Sequence, residues 1–157
     1  MYCTRKLTEQ VWWVGGSDRR LALFENLFPI TRGVSYNSYL ILDEQTAVVD
    51  TVDSSISRQF LENVLHTLDG RPLDYLVINH MEPDHCASIE TLLLRFPTLK
   101  LVGNAKTFAF MGQFYDFPLD GRTVTVKEGG YPSPVGGHTL HFHMTPMVHW
   151  PGGHDDL

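Results

Sequence analysis

Apolar positions along this 157-residue chain fall in short runs, and their period shifts between the two of a strand and the three to four of a helix. Gln10 to Val14 is a short β-type run closed by Gly15-Gly16-Ser17-Asp18. Leu21 to Pro29 is apolar without a clean period, and Pro29 argues for a loop crossing the surface of a core. Ser35 to Leu42 and Thr46 to Asp50 are β-rich runs joined by Asp43-Glu44-Gln45, the turn chemistry of a hairpin. With Ser54 or Ser55 as its cap, a helix places Ile56, Phe60, Leu61, Val64, Leu65 and Leu68 on one apolar stripe and ends at Gly70. A buried strand over Tyr75 to Asn79 follows. Ser88 to Arg95 predicts a short helix stopped near Pro97, Lys100 to Gly103 a strand, and Asn104 the cap of a helix reaching about Phe114. Thr123 to Val126 and Thr139 to Met144 read as strands between Gly/Pro-rich turns. An opening hairpin followed by strand–helix–strand units predicts an α/β protein with mixed, largely covered sheets.

The strand over Tyr75 to Asn79 runs into His80-Met81-Glu82-Pro83-Asp84-His85, four potential metal ligands in six residues. Loops at strand ends on a rigid scaffold are where sites are usually built. Read as extended chain, residues at i, i+2 and i+4 share a side, so His80, Glu82 and Asp84 converge while His85 points elsewhere unless the chain turns. A distant histidine, His149 in Pro146-Met147-Val148-His149-Trp150-Pro151, can complete the set. Imidazole mixed with carboxylate suits iron, manganese or zinc, and the lack of a thiolate cluster argues against structural zinc. The oxygen donors tilt the choice toward iron, and two neighbouring metals would bind a small bridging molecule or activate water. Asp50, ending a strand, either orients a ligating imidazole or caps the following turn.

Other candidates carry less. Cys86 is a soft ligand, a redox thiol or a small buried residue, the last being favoured. His66 falls on the polar side of its helix and His138 in a glycine turn. His141 and His143 alternate with the buried face Leu140, Phe142 and Met144, and His154 lies near the terminus. A 43% hydrophobic and 19% charged composition is that of a globular domain, and a net charge of -6 with scattered Lys and Arg excludes a nucleic-acid or anionic-membrane surface. No run is long enough to span a bilayer, no apolar leader follows Arg5 and Lys6, and two cysteines make no disulfide framework, so a cytoplasmic location is expected. No Gly-rich phosphate loop follows a strand, so no nucleotide or flavin site is expected on this chain.

The motif His80-x-Glu82-x-Asp84-His85 resembles that of the flavodiiron proteins, oxygen and nitric oxide reductases with a metallo-β-lactamase-like core. Hydrolases of that superfamily usually carry histidine at the position of Glu82. Segments Gly33 to Ile41, Val49-Asp50-Thr51-Val52 and Pro146 to Pro151 also look like the family, so the resemblance runs from about Thr8 to Pro151. It implies an αββα sandwich and a non-haem diiron centre, with His80, Glu82 and His149 on one iron, Asp84 on the other and His85 beside them. It further implies FMN on a flavodoxin-like domain, rubredoxin or a flavin reductase as electron donor, a head-to-tail dimer, and reduction of O₂ to water or NO to N₂O.

The chain departs from the family by stopping. A further bridging carboxylate, another histidine and the flavodoxin-like domain would come from later sequence, and the tail Gly152 to Leu157 no longer looks like the family. The expectation is therefore a truncated sandwich, inactive alone, with a second sheet so incomplete that a large apolar face lies open. Two other classes stand beside this one: a zinc-dependent hydrolase of the same fold, and a binding module that keeps the fold without the metal.

Overall fold

The computed structural model describes residues 2–24, 27–129, 133–149 and 154–156. Seven strands form its main sheet: β1 (Arg5–Lys6), β2 (Val11–Trp13), β3 (Tyr39–Leu42), β4 (Thr46–Val49), β5 (Tyr75–Val77), β6 (Lys100–Gly103) and β7 (Thr123–Thr125). They lie side by side in chain order. The pairings from β1 to β4 are antiparallel, and those from β4 to β7 are parallel. The switch follows from the connections. A tight turn joins β3 to β4, whereas α1 (Ser57–Leu68) carries the chain back between β4 and β5, and α2 (Pro83–Cys86) and α3 (Ile89–Arg95) between β5 and β6. The last helix, α4 (Ala105–Phe114), starts where the Asn104 side chain accepts a hydrogen bond from the Thr107 N–H.

Neighbouring residues on the central strands face opposite ways, and both sides are buried. Leu40, Val48, Leu76 and Leu101 pack with Phe60, Val64, Leu92 and Met111 on the helical side. Their neighbours Ile41, Ala47, Val77 and Val102 pack with Val126, Val135, Leu140 and Phe142 on the other. That second cluster corrects one expectation. The centre of the far face is not open, because Val135, Leu140 and Phe142 cover it, while Val11, Val49, Tyr75 and Val124 around them are partly buried.

Three other expectations change in detail. The run Ser35 to Leu42 divides: Val34–Tyr36 pairs with Gly16–Asp18, and only Tyr39–Leu42 joins the main sheet. The division sits where the chain crosses itself at Gly15, whose missing Cβ would lie 2.0 Å from the Tyr36 carbonyl oxygen. Thr139 to Met144 likewise splits at His141, Thr139–Leu140 pairing with Ser133–Pro134 and Phe142–Met144 with His154–Asp156. Leu21 to Pro29, expected as loop, carries a small ladder between Leu23–Phe24 and Phe28–Pro29.

Candidate metal centre

The site lies where β5 ends. The chain leaves the sheet through Ile78, bends at Asn79, is extended at Glu82 (φ -73°, ψ 148°), then winds into a helical turn with Pro83 in its first position. This corrects the extended reading of the ligand segment. The turn brings His85 back toward His80, their ring centroids 4.0 Å apart. Two groups of potential ligands result, His80 with Glu82 and His149, and His80 with Asp84 and His85, the donor atoms of each lying within 4.8 Å of one another. That approaches the separation of opposite ligands about a single ion, roughly 4 Å for bonds near 2.1 Å.

Within the first group, His80 Nε2 and His149 Nε2 lie 3.4 and 3.0 Å from Glu82 Oε2. In the second, His85 Nε2 is 3.5 Å from Asp84 Oδ2. The opposite ring nitrogen, His85 Nδ1, sits 2.9 Å from Asp50 Oδ2. Asp50 is buried at the end of β4 with φ +56°, a conformation Asp and Asn adopt more readily than most residues. Its Oδ1 accepts the Asn79 N–H at 2.8 Å and its Oδ2 the Asn79 side-chain amide at 3.2 Å. Of the two roles open to Asp50 in the sequence, the one in contact with an imidazole is the one seen here.

Two supporting residues escaped the sequence reading. Thr51 donates from its backbone N–H (2.8 Å) and hydroxyl (2.9 Å) to the His85 carbonyl, and Asn79 ties Asp50 to the end of β5. The signal was present as polar residues closing two apolar strands, but which strand ends meet is a matter of sheet order.

Cys86 is buried and belongs to neither ligand group, its thiol donating to the Met81 carbonyl at 3.4 Å. Burial pushes that thiol's pKa up, so it is a neutral packing group. His141 and His143 are exposed as expected, and Trp150 and Pro151 lie outside the described residues.

The electrostatics separate the two clustered imidazoles. Burial, then the neighbouring His85, lowers the pKa of His80, which favours the neutral ring that a metal needs. Burial also opposes charge on His85, but the Asp50 hydrogen bond and the carboxylates of Asp50, Asp84 and Glu82 outweigh it and raise its pKa. The residues fit a cation. Asp84 Oδ1 is a buried carboxylate oxygen with no hydrogen-bond partner among the described residues, a costly state that a bound cation would relieve.

The family model for the ODP family beta lactamase matches residues 34–155. The anaerobic nitric oxide reductase flavorubredoxin of Pectobacterium atrosepticum is 34% identical over 94% of this chain and 29% of that protein. A homolog of that flavorubredoxin in Escherichia coli O157:H7 is 35% identical over 90% of this chain and 34% of its own length. Among solved structures, the flavodiiron protein from Giardia intestinalis superposes with a TM-score of 0.89 at 27% identity, covering 99% of this chain and 37% of that one. Rubredoxin oxygen:oxidoreductase from Desulfovibrio gigas gives 0.87 at 28% identity, covering 98% and 38%. These names do not favour the zinc hydrolase. The chain spans about a third of the length of the curated relatives it matches. With strands β3 to β7, the ligand turn and His149 all reached by a family model over residues 34–155, the chain belongs to the ODP family beta lactamases, in the N-terminal part of the metallo-β-lactamase-like domain that flavodiiron proteins share.

Proposed function

We propose that this chain is the metal-holding part of a flavodiiron oxidoreductase that reduces O₂ to water or NO to N₂O. The observation that carries the reading is the convergence of His80, Glu82, Asp84, His85 and His149 into two overlapping ligand groups. His80, Glu82 and His149 would hold one iron, and Asp84, with His85 beside it, the other. Bound there, a pair of non-haem irons would supply the electrons' entry to the gas molecule. Asp50 fixes the face that His85 presents, by engaging Nδ1 and leaving Nε2 toward Asp84. Thr51 fixes the turn by holding the His85 carbonyl.

FMN on a flavodoxin-like domain, rubredoxin or a flavin reductase as donor, and a head-to-tail dimer belong to the same proposal. They rest on the likeness to longer relatives, as does a cytoplasmic setting. Among the described residues, no helix is long and apolar enough to cross a membrane.

Anaerobic titration with ferrous iron, followed by Mössbauer spectroscopy, tests the site. Iron held by nitrogen and oxygen donors is expected, with affinity falling at least ~10-fold in Glu82→Ala and in His149→Ala. Equal binding in wild type and both variants would overturn the assignment. The chain alone is expected to stay inactive, so steady consumption of O₂ or NO by the iron-loaded protein with reduced FMN would overturn that part of the reading.

A further inference from the structure

A helix of one turn cannot satisfy its own last carbonyls, because the amides that would reach them lie beyond its end. In α2 two of these carbonyls, on His85 and Cys86, are met by side chains from other elements. Thr51, at the end of β4, donates to the His85 carbonyl. The Tyr115 hydroxyl, at the end of α4, donates to the Cys86 carbonyl at 2.9 Å. The Cys86 thiol in turn donates to the carbonyl of Met81, the residue between His80 and Glu82, at 3.4 Å. One line of hydrogen bonds thus ties Tyr115 to both ends of the ligand segment.

Tyr115 is itself firmly placed. It caps the C-terminus of α4, its N–H donating to the Met111 carbonyl at 2.9 Å, and its ring packs on the main core and on Phe117, 5.2 Å between ring centroids. Five aromatic residues fall between positions 108 and 117, and Tyr115 is the one that carries a hydroxyl. Phenylalanine would fill the same space, so packing does not account for the oxygen. Burying a hydroxyl costs free energy unless it finds a partner. Both atoms within its reach, the Cys86 carbonyl oxygen at 2.9 Å and Cys86 Sγ at 3.6 Å, belong to the ligand turn. Burial, then the contacts with Cys86, push the hydroxyl above the usual phenol range, so it stays protonated and able to donate.

We propose that Tyr115 is a positioning residue for the metal centre, its hydroxyl fixing the end of the turn that presents Asp84 and His85. This rests on the metal-holding reading above and adds α4 to the elements that shape the site. Asp50 and Thr51 hold the turn from β4, and Tyr115 holds it from the end of a helix two strands later.

Tyr115→Phe deletes the hydroxyl and keeps the ring. The first readout needs no metal: NMR of the ring N–H that His85 directs at Asp50, with the ring N–H that His138 directs at Asp43 as internal reference. In the variant the His85 proton should exchange with water at least ~5-fold faster while the His138 proton keeps its rate, because only the turn is loosened. A general loss of stability would speed both. Ferrous iron affinity, titrated anaerobically, should fall about 10-fold, the low end for residues that orient ligands. Thr46→Val, which deletes a hydroxyl hydrogen bond to Pro72 at the other end of β4, should leave that affinity unchanged. Unaltered His85 exchange in Tyr115→Phe, equal acceleration at His85 and His138, or wild-type iron affinity in the variant overturns the proposal. Should Tyr115→Phe fail to fold, zinc titration of the wild type gives the decision. The Tyr115 ring resonances should shift in step with those of His85, with Tyr75 at the start of β5 unmoved, and a silent Tyr115 ring would refute the role. A wild type that binds no iron strikes the metal-holding reading itself, and the metal-free exchange still shows whether Tyr115 holds the turn.

Discussion

The near and far halves of the candidate site use the same side-chain chemistry on very different supports. The near half, from Asn79 to Cys86, is tied to the sheet by Asp50 and Thr51 and packed through Met81 and Cys86 into the main core. The far half is one imidazole at the end of an exposed loop. The His149 side chain is 69% exposed, and Met147 and Val148 beside it are 76% and 81% exposed. Met147 even adopts φ +65°. A ligand on the first half is positioned by the fold before any metal arrives. His149 has its 3.0 Å contact with Glu82 and an edge-to-face ring contact with His80 at 5.5 Å, both with other candidate ligands, so a metal would do much of the ordering there.

The sharpest way to break the comparison is at Asp50. Asp50→Ala removes three hydrogen bonds and strands the Asn79 and His85 donors, and should cost ~3 kcal/mol in urea unfolding of the metal-free chain. Asp50→Asn, which keeps the shape and tolerates the positive φ, should cost about half of that. A loss under 1 kcal/mol for the alanine variant would mean that the near half is no better supported than the far one.

His149→Ala should behave oppositely. Metal-free stability should stay within about 0.5 kcal/mol of wild type, as for other exposed positions. Iron affinity should still fall at least tenfold, equivalent to ~1.4 kcal/mol. A large loss of stability would show that the loop is held by the protein rather than by the metal.

Upstream of the loop, the far half is anchored at one buried carboxylate. Asp43 accepts from His138 Nδ1 at 2.6 Å and from the His138 N–H at 2.8 Å, while Gly136 passes over it with φ +116°. Arg71 donates to the Asp43 carbonyl. The His138 side chain, then the Glu44, Gly137 and His138 backbone amides, holds the Asp43 pKa well below its ordinary 3.8, against the opposing effect of burial. A depressed carboxylate stabilises the fold above its unfolded pKa and stops doing so as pH falls through the folded one. Stability of the metal-free chain should therefore begin to drop as pH falls below about 4, and the drop should be shallower in Asp43→Asn. Parallel pH profiles for the two proteins would remove this anchor from the account.

The smallest expected effect is at Met147. Glycine there relieves a left-handed conformation but enlarges the freedom of the unfolded chain, so Met147→Gly should change stability by no more than ~0.5 kcal/mol. Iron affinity should change little as well, unless the kink itself aims His149.

Much of this molecule was legible along the chain because local physics decides it. The stripe from Phe60 to Leu68, the Asn104 cap, the tight turn after Leu42 and the doubly buried β4 to β6 all follow from periodicity and capping, and the structure has them. The candidate ligands from His80 to His85 were visible for the same reason, being a dense polar motif at the end of an apolar strand. The divisions of Ser35 to Leu42 and Thr139 to Met144 were not visible, since a continuous β-type run does not say that its halves will pair with different partners.

By itself, then, the sequence laid out most of the elements, offered His80, Glu82, Asp84, His85 and His149 as candidate donors, and through Glu82 gave the resemblance to the flavodiiron family. Tertiary structure alone decided that Pro83 starts a helical turn that swings His85 inward. It decided too that Asp50 meets His85 across 35 residues, and that Glu82 meets His149 across 67. Contacts of that span depend on which strand ends the sheet order places together, and no pattern within a window of ten or twenty residues contains that information.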